Sequence, residues 1–253
     1  MLEVKNLRAG YPGKPVLHDL QLEIPAGSVT VILGPNGCGK STFLKVLCGI
    51  LPPDRGSIWL DGQELSGLAP RELAQKVAYL SQSRQIPDIT VRRLVLHGRF
   101  PYLSYPRRYR KEDYAAAEAA MAQMGIQNLA EEPLRNLSGG ERQKVYIAMA
   151  LAQGTDVILL DEPTTYLDIR HQMKMLNDAR ALARAGKTVV MVVHDIPQAL
   201  HTADHVILMD GGTVVRMGTP EEVAESGQVE AVFGVKLGRA ETADGWRYYC
   251  SEV

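Results

Sequence analysis

Short apolar runs rich in β-branched residues predict the buried strands of an α/β fold. The clearest runs cover residues 28–33, 156–160 and 188–193. Their length and their lack of polar positions are typical of buried strands rather than of surface helices. In an α/β sheet, ligands bind at the C-terminal ends of such strands, so the residues that follow each run are the first candidates for function.

A second pattern, in which apolar and polar residues alternate, predicts a strand at residues 16–24. Leu20, Leu22 and Ile24 are separated there by polar residues. The chain also contains turn sequences, such as Asp210-Gly-Gly212, that favour a hairpin. Further strands are predicted at residues 2–7, 57–60, 76–81, 205–209 and 213–217, the last two as that hairpin.

From about Ser83 to Gln153, apolar residues at helical spacing replace the strand pattern. Helices are predicted there at residues 90–97, 111–124 and 140–153. Elsewhere, helices are expected at 41–50 and 168–185, with short helices opening at Pro70 and at the Thr219 capping box. After Ser226 the signals are few, and an edge strand at 246–249 is the only element suggested.

Composition places the chain among ordinary globular proteins. Its 253 residues suffice for one large domain or two coupled lobes, and 45% of them are hydrophobic. The formal net charge of -1 gives no general attraction to nucleic acid or anionic lipid. No apolar run approaches the roughly 18–20 residues that span a bilayer, and the N-terminus lacks a signal-peptide core. If the protein works at a membrane, we expect a partner to hold it there.

The cysteines indicate a reducing compartment. Cys38, Cys48 and Cys250 form an odd set without CxxC spacing. That pattern argues against a disulfide framework and against a zinc site.

The stretch from Gly34 to Thr42 carries the strongest chemical signal. It matches G-x-x-x-x-G-K-[ST], follows a predicted strand and opens a predicted helix. Glycines let backbone N–H groups approach an anion, and the positive end of the helix dipole points to the same place. The agreement of motif and context disfavours a mere glycine-rich turn, so we predict a nucleoside triphosphate site. Its expected binding residues are Gly34, Pro35, Asn36, Gly37, Cys38, Gly39, Lys40, Ser41 and Thr42.

Three side chains of this loop have distinct predicted roles. Lys40 would place a positive charge on the β- and γ-phosphates, and the Ser41 hydroxyl would ligate Mg²⁺. Cys38 lies just before a helix N-terminus and close to Lys40, and both influences favour its thiolate. If its side chain is accessible, we expect Cys38 to be reactive, and its modification by a bulky maleimide to abolish the activity of the protein.

Carboxylates and a histidine follow two of the predicted buried strands. Asp161 and Glu162 come directly after one strand, and His194 ends another. Beside a phosphate loop in the same sheet, Asp161 is placed to hold Mg²⁺ and Glu162 to polarise a water. A lone histidine is more often a satisfied polar residue than a catalytic one, although the position of His194 raises its candidacy.

Other candidates stay open on the residues alone. Tyr11 is either a loop aromatic or a platform for a base, a contact of ~1–3 kcal/mol. Gln82 at a strand end is usually solvated polar surface. Ser138 and Glu141 form a capping box, yet the glycines between them also make an anion-binding surface. The basic run at 107–111 fits nucleic-acid binding, but a solvated loop entering a helix is the commoner explanation and the one we favour.

Taken in chain order, these motifs resemble an ATP-binding cassette (ABC) ATPase. The resemblance covers about residues 2 to 220, and the Ser-Gly-Gly-Glu signature within 137–141 is highly specific to that family. The other matching segments are the loop at 34–42, Gln82, the strand and carboxylates at 157–163, Leu167-Asp168 and His194.

The resemblance assigns the open residues. By it, Tyr11 stacks on adenine, and Gln82 reaches Mg²⁺ and the attacking water. Ser138, Gly139 and Gly140 would face the ATP held by an opposing copy, and Asp168 would organise that interface. The resemblance thus implies catalytic roles for Glu162, His194, Gln82 and Lys40, and metal ligation by Ser41, Gln82 and Asp161.

The implied fold is α/β, a P-loop NTPase (RecA-like) core sheet with an inserted helical subdomain of the ABC ATPase type. The ABC ATPase domain would span 1–220, with the α/β lobe at about 1–84 and 157–220. The helical subdomain would occupy about 85–156, and 221–253 would be a C-terminal extension.

Two further stretches, at 96–103 and 165–172, look like the ATPases of ferric-siderophore, haem and cobalamin importers. Thr165-Tyr166 stands where many relatives carry Ser-Ala, which suits this subclass. The expected cofactors are ATP and Mg²⁺. The expected partners are a second copy in an ATP-sandwich homodimer, an integral-membrane permease and, indirectly, a substrate-binding protein, with no nucleic acid. The expected location is the cytoplasmic face of the inner membrane, as a peripheral subunit.

The alternative is a soluble ABC ATPase that acts on DNA or ribosomes. Those proteins carry tandem cassettes or long coiled-coil insertions, whereas this chain shows one cassette and a short insertion. A kinase with the same phosphate loop is disfavoured by the Ser-Gly-Gly-Glu signature. Within the importer interpretation, the segment from Gln82 to about Tyr105 would dock the permease, with Phe100 and Leu103 as the expected contacts.

Overall fold

The chain alternates strands and helices much as its hydrophobic pattern predicts. A computed structural model describes residues 1–82, 86–165, 167–242 and 245–252. The strands, in chain order, are β1 (Leu2–Tyr11), β2 (Lys14–Ile24), β3 (Val29–Leu33), β4 (Arg55–Leu60), β5 (Gln63–Glu64), β6 (Val77–Leu80), β7 (Val157–Leu160), β8 (Thr188–Val192), β9 (His205–Asp210), β10 (Thr213–Gly218), β11 (Lys236–Thr242) and β12 (Gly245–Ser251). The α-helices are α1 (Lys40–Leu47), α2 (Pro70–Leu73), α3 (Val91–His97), α4 (Lys111–Gln123), α5 (Gly139–Ala152), α6 (Ile169–Arg184), α7 (Ile196–Thr202), α8 (Pro220–Ala224) and α9 (Gln228–Phe233).

A six-stranded sheet forms the centre of the described structure, with the order β10-β9-β3-β8-β7-β6. Its strands pair in parallel, except for β10, which forms an antiparallel hairpin with β9. A separate antiparallel sheet has the order β2-β1-β4-β5. The predicted strands at 28–33, 156–160 and 188–193 are confirmed as β3, β7 and β8, with small differences at their ends.

Both faces of the central sheet are covered, which explains why its strands are uniformly apolar. Along β3, Val29, Val31 and Leu33 belong to a core shared with α5, α6 and α7. Ile32, which points to the opposite face, belongs to a second core with α1 and the antiparallel sheet. The period of two in this strand therefore divides one apolar run between two cores.

Helices α3, α4 and α5 fill the chain between β6 and β7 and pack on one another. They confirm the predicted change from strands to helices. The start of this region, including the expected boundary at 84–85, falls on residues 83–85, which lie outside the described residues.

The C-terminal part departs most from prediction. The edge strand expected at 246–249 lies within β12, which pairs with β11 in an additional hairpin, and helices α8 and α9 precede it. The capping box at Thr219 is confirmed, because its hydroxyl accepts a hydrogen bond from the Glu222 backbone N–H. Strand β11 is largely exposed and mostly polar, so its sequence has no apolar run to reveal it. Among the described residues, no helix combines the length and apolar character needed to cross a bilayer.

Candidate functional site

The predicted functional residues gather at one edge of the central sheet. Strands β3, β8, β7 and β6 are neighbours and run in parallel, so their C-terminal ends lie side by side. The phosphate loop follows β3, the carboxylates follow β7, and His194 and Gln82 come after β8 and β6. Ligands of α/β sheets bind at this edge.

The phosphate loop wraps its own lysine. Lys40 is only 6% exposed. Its ammonium donates hydrogen bonds to the carbonyl oxygens of Gly34, at 2.7 Å, and Pro35, at 2.9 Å. Gly39 begins α1 with a φ of +105°, and a Cβ there would lie 2.8 Å from Leu17, so the turn requires glycine. The charge of Lys40 is therefore held close to the N-terminus of α1, where an anion is favoured.

A cleft of about 270 Å³ opens beside this loop. Tyr11 lies at its edge, 42% exposed, with the Lys45 ammonium 6.0 Å from the centre of its ring. The cleft thus combines a phosphate loop with an exposed aromatic face that is available to a planar base. The residues lining it are Tyr11, Lys14, Val16, Asn36, Gly37, Gly39, Lys40, Ser41, Thr42 and Glu162.

Asp161 is buried and bound by two hydroxyl groups. Its Oδ1 accepts a hydrogen bond from Ser41 Oγ at 2.9 Å, and its Oδ2 accepts one from Tyr79 Oη at 3.0 Å. Burial raises the pKa of Asp161, and the two hydroxyl donors partly oppose that rise. Oxygen donors in this arrangement fit Mg²⁺, which is bound through one or two carboxylates and keeps several waters.

Tyr79 is a residue that the sequence analysis missed. It lies on β6, and burial together with the neighbouring Asp161 raises the pKa of its phenol, so it stays a hydrogen-bond donor. The signal was a phenol within an otherwise apolar strand, because a buried tyrosine hydroxyl usually finds a partner.

Glu162 lies at the centre of a hydrogen-bonded cluster. It accepts hydrogen bonds from Gln82 Nε2 and from Thr165 Oγ1, the latter at 3.2 Å. His194 Nε2 lies 2.6 Å from its Oε1. The φ of Glu162 is +51°, a left-handed conformation that costs a non-glycine residue about 1–2 kcal/mol. Backbone strain of this kind is concentrated at functional sites, where surrounding contacts hold the residue in place.

The start of α5 differs in kind from the phosphate loop. Ser138 caps the helix, and the capping box is confirmed: Ser138 Oγ accepts from the Glu141 N–H at 3.3 Å and donates to Glu141 Oε2 at 2.7 Å. Ser138 and Gly139 are exposed, whereas Gly140 is buried. Among the described residues, none of these three lines the phosphate-loop cleft. Gly139 instead shares a larger cleft of about 440 Å³ with Gln82 and Glu162.

Asp168 begins α6 as its N-cap. Its carboxylate accepts hydrogen bonds from the backbone N–H of His171, at 2.9 Å, and lies 2.8 Å from the ring Nδ1 of the same residue. The bond from the His171 N–H is the main cause that holds the pKa of Asp168 below its ordinary value. The neighbouring Tyr166, which the importer resemblance included, lies outside the described residues.

The expectation that the loop favours the thiolate of Cys38 was wrong, and the accessibility on which its reactivity depended is absent. The side chain is 4% exposed, and burial raises the pKa of its thiol. The positive charge of Lys40, whose Nζ lies 4.0 Å from Cys38 Sγ, opposes that rise but does not overcome it. Loss of hydration therefore outweighs the favourable charge, an outcome that depends on packing rather than on the loop motif.

The two residues expected to contact a permease differ in exposure. Phe100 is 51% exposed and stacks between His97 and Tyr109, with ring centres 4.5 and 6.1 Å away. Leu103 is buried. A charge at Leu103 would disturb packing, so Phe100 alone offers a clean surface position.

Comparison with known proteins finds similarity over nearly the whole chain. Residues 17–165 match the family model for the ABC transporter. The chain is 43% identical over 237 residues to the ferric enterobactin transport ATP-binding protein of Escherichia coli (strain K12), covering 93% of this chain and 88% of that protein. It is 38% identical over 243 residues to the hemin import ATP-binding protein of Pseudomonas putida, covering 94% of each. A solved inward-facing structure of a metal-chelate type ABC transporter matches with a TM-score of 0.87 at 28% identity, covering 100% of this chain and 96% of that one.

Proposed function

The chain belongs to the ABC transporter family, and from that premise we propose that it powers the import of an iron-siderophore or haem-type substrate. It has the P-loop NTPase fold of the ABC ATPases and is an ATPase. The observation that carries the substrate class is its 43% identity to a ferric enterobactin transport subunit across 93% of the chain. Identity to a hemin import subunit supports the same class of iron-bearing chelates.

ATP would lie in the phosphate-loop cleft. Residues 34–42 would surround its phosphates with backbone N–H groups, Lys40 would contact the β- and γ-phosphates, and Tyr11 would stack on the adenine. Ser41 and Asp161, whose oxygens are already 2.9 Å apart, would hold Mg²⁺ together with Gln82. Bound Mg²⁺ supplies positive charge that stabilises the developing phosphoryl charge.

Hydrolysis would rest on the cluster around Glu162. This carboxylate would orient the attacking water and accept its proton, while Gln82 and Thr165 hold the carboxylate in place. His194, which lies 2.6 Å from Glu162, would stabilise charge on the γ-phosphate. Most of the catalysis would come from fixed charges and dipoles aimed at the phosphates, among them Lys40.

A second copy of the chain would complete each site. Ser138 and Gly139 are exposed and are not among the described residues that line the phosphate-loop cleft of their own chain, which supports a role toward the ATP of an opposing copy. We include Gly140 in that surface through its backbone, and Asp168 as an organiser of the interface. The copies would pair head to tail around two ATP molecules, so hydrolysis would require the dimer.

The proposed division of the chain follows from these roles. An ABC ATPase domain at 1–220 would consist of an α/β lobe at about 1–84 and 157–220 and a helical subdomain at about 85–156. The mutual packing of α3, α4 and α5 supports the helical subdomain. Residues 221–253 would form a C-terminal extension.

Membership in a membrane transporter family implies a permease partner and membrane association. We propose that the subunit sits on the cytoplasmic face of the inner membrane, and that a substrate-binding protein delivers the chelate to the permease. The exposed aromatic stack at Phe100 is the proposed docking position. The relatives are named as transport and import subunits, which gives no support to the alternative of a soluble ATPase acting on DNA or ribosomes.

Purification with the permease, followed by uptake into vesicles, tests the proposal. We expect ATP-driven uptake of a ferric siderophore or of haem, and Phe100→Glu should reduce that uptake while leaving the basal ATPase rate near wild type. Glu112→Gln, an exposed change in the same helical region, serves as a matched surface control. Co-purification with ribosomes or DNA, and with no membrane protein, would favour the alternative function.

A further inference from the structure

The ring of His171 joins two segments that the proposed dimer would use. On one side, its Nδ1 lies 2.8 and 2.9 Å from the two carboxylate oxygens of Asp168. On the other side, it lies directly against Gly140 in the first turn of α5. His171 therefore contacts the start of α6 and the start of α5 at once.

The ring lies so close to Gly140 that a side chain at that position would require the ring to shift. A Cβ on Gly140 would lie 2.1 Å from His171 Cδ2 and 2.5 Å from its Nε2. To make room for a side chain at Gly140, the ring would have to leave its two short contacts with Asp168. Glycine at 140 therefore lets the imidazole lie against the backbone of α5 while it keeps those contacts.

Little space remains between the helices beside this contact. A gap of only about 10 Å³ remains between α5 and α6 at this point, lined by residues that include Gly140, Lys144, His171 and Asp178. That volume is at the lower limit of the ~10–15 Å³ that one water occupies. The start of α5 and the start of α6 are therefore packed closely at this point, with room for about one water at most.

We propose that His171 is a positioning residue that fixes the glycine segment of α5 relative to Asp168, so that one chain presents both to the opposing copy as a single surface. This rests on the head-to-tail dimer of the proposed function. Gly140 lies in the first helical turn, whose N–H groups have no intrahelical partner. With the ring behind it, the direction of those N–H groups is set before the second copy arrives, and less ordering is needed on association.

Dimer affinity in a background that cannot hydrolyse ATP tests this role. In Glu162→Gln, with Mg-ATP present, sedimentation measures the dissociation constant of the dimer. Adding His171→Ala should raise that constant at least tenfold, which corresponds to ~1.4 kcal/mol. Asn177→Ala, an exposed change on the same helix, should leave it unchanged. Binding of a fluorescent ATP analogue to the phosphate loop should be the same in all of them.

Conservative replacements separate the two contacts of the ring. His171→Asn keeps a donor near the position of Nδ1 and should keep the bond to Asp168 while losing the packing on Gly140. His171→Phe keeps the ring and loses the donor. We expect each to recover part of the affinity that His171→Ala loses, because each restores one contact. If neither exceeded His171→Ala, the positioning role would be overturned.

A double-mutant cycle tests the contact without any dimer. Gly140→Ala and His171→Ala should each lower the free energy of unfolding of the monomer, measured with denaturant. The double variant should lose less than the sum, because the methyl group then fills the space of the missing ring. Strict additivity would overturn the contact on which the inference depends.

The outcomes distinguish this inference from the function it rests on. If Glu162→Gln forms no ATP-dependent dimer, the proposed dimer fails and the role of His171 fails with it. If that dimer forms and His171→Ala leaves its dissociation constant unchanged, the proposed function stands and this inference is overturned.

Discussion

The phosphate-loop end and the α5 end of the candidate site contrast in how complete they are within one chain. Lys40 and Asp161 are buried and bound to neighbouring groups of the same chain. Ser138 and Gly139 are exposed, and the contacts of Ser138 go to its own helix. The phosphate-loop end is therefore already assembled within one chain, whereas the start of α5 is a helix N-terminus exposed to solvent. In the proposed function, the phosphate-loop end binds ATP within one chain, and the start of α5 acts on the ATP of a second copy.

The contrast has a topological origin. Parallel strands bring their C-terminal ends together, so residues distant in sequence, such as Ser41 and Asp161, meet inside the fold. The start of α5 belongs to the helices that fill the chain between β6 and β7, so no strand of the central sheet ends at it. It packs instead against the start of α6, where His171 lies against Gly140.

The largest expected effect on ATP turnover comes from a change at the phosphate-loop end of the site. Glu162→Gln keeps the volume of the side chain and removes the negative charge that accepts a proton. If general-base action is its main role, turnover should fall by ~10²–10⁴-fold, as measured by phosphate release at saturating ATP. ATP affinity should remain near wild type, because the groups proposed to bind the nucleotide are unchanged.

Lys40→Ala serves as the comparison for that variant. It should lose ATP binding and stay monomeric, whereas Glu162→Gln should accumulate an ATP-dependent dimer visible by size-exclusion chromatography. A merely destabilised protein would fail both assays. Near wild-type turnover in Glu162→Gln would reject this residue as the base.

The next largest effect is expected from a substitution at the start of α5. Gly139→Asp places a negative charge where the phosphates of the opposing copy would lie. Like charges brought together at an interface are strongly unfavourable, so hydrolysis should fall by at least ~10-fold. Binding of ATP to the phosphate loop of the same chain should persist, as measured by equilibrium titration.

Mixing two inactive variants provides the sharpest control for that prediction. Lys40→Ala lacks a working phosphate loop, and Gly139→Asp lacks a working α5 start. In a head-to-tail pair, one of the two sites takes its intact half from each chain, so the mixture should regain activity that neither variant has alone. No recovery would count against the contrast drawn between the two ends.

The sequence predicts the phosphate-loop end of the site better than the start of α5, for physical reasons. A phosphate loop needs glycines and a lysine at fixed spacing, which a sequence motif shows directly. The apolar runs of β3 and β7 predict the strands that the loop and the carboxylates follow. The contact between Gly140 and His171 has no such local pattern, because it depends on how two helices pack. Burial of Cys38 is likewise a tertiary property, and for that reason the expectation of a favoured thiolate was wrong. The exposed strand β11 was not predicted because it has no apolar pattern, whereas the edge strand suggested at 246–249 lies within β12.

A smaller effect tests the hydroxyl that the sequence analysis missed. Tyr79→Phe removes the hydrogen bond to Asp161 Oδ2 without changing the shape of the ring. Asp161 then loses an influence that lowers its pKa, so protons compete with Mg²⁺ up to a higher pH. We expect the Mg²⁺ concentration for half-maximal ATPase activity to rise by ~3–10-fold, with a larger rise at acidic pH. Tyr102→Phe, whose hydroxyl bonds instead to the Gln153 carbonyl oxygen, is the matched control. An unchanged Mg²⁺ requirement in Tyr79→Phe would show that the hydroxyl does not support Asp161.

The smallest expected effect concerns the cysteines, whose labelling rates report how accessible the phosphate loop is to solvent. Cys38 lies within the phosphate loop and is buried, whereas Cys250 on β12 is exposed. Burial raises the pKa of each thiol, and that of Cys48 rises to about 11. A raised pKa lowers the thiolate fraction at neutral pH, so the rate of alkylation should increase steadily as the pH rises.

At pH 7.5 we therefore expect maleimide to label Cys250 first, because all three thiols are largely protonated and exposure then decides the order. Mass spectrometry of digested protein gives that order, and ATPase activity should survive the first label, since β12 contributes nothing to the phosphate-loop cleft. Cys250→Ser should remain active and label slowly, and Mg-ATP should protect only the slow reaction at Cys38. Rapid labelling of Cys38 with loss of activity would mean that the phosphate loop opens in solution far more than the burial of Cys38 indicates.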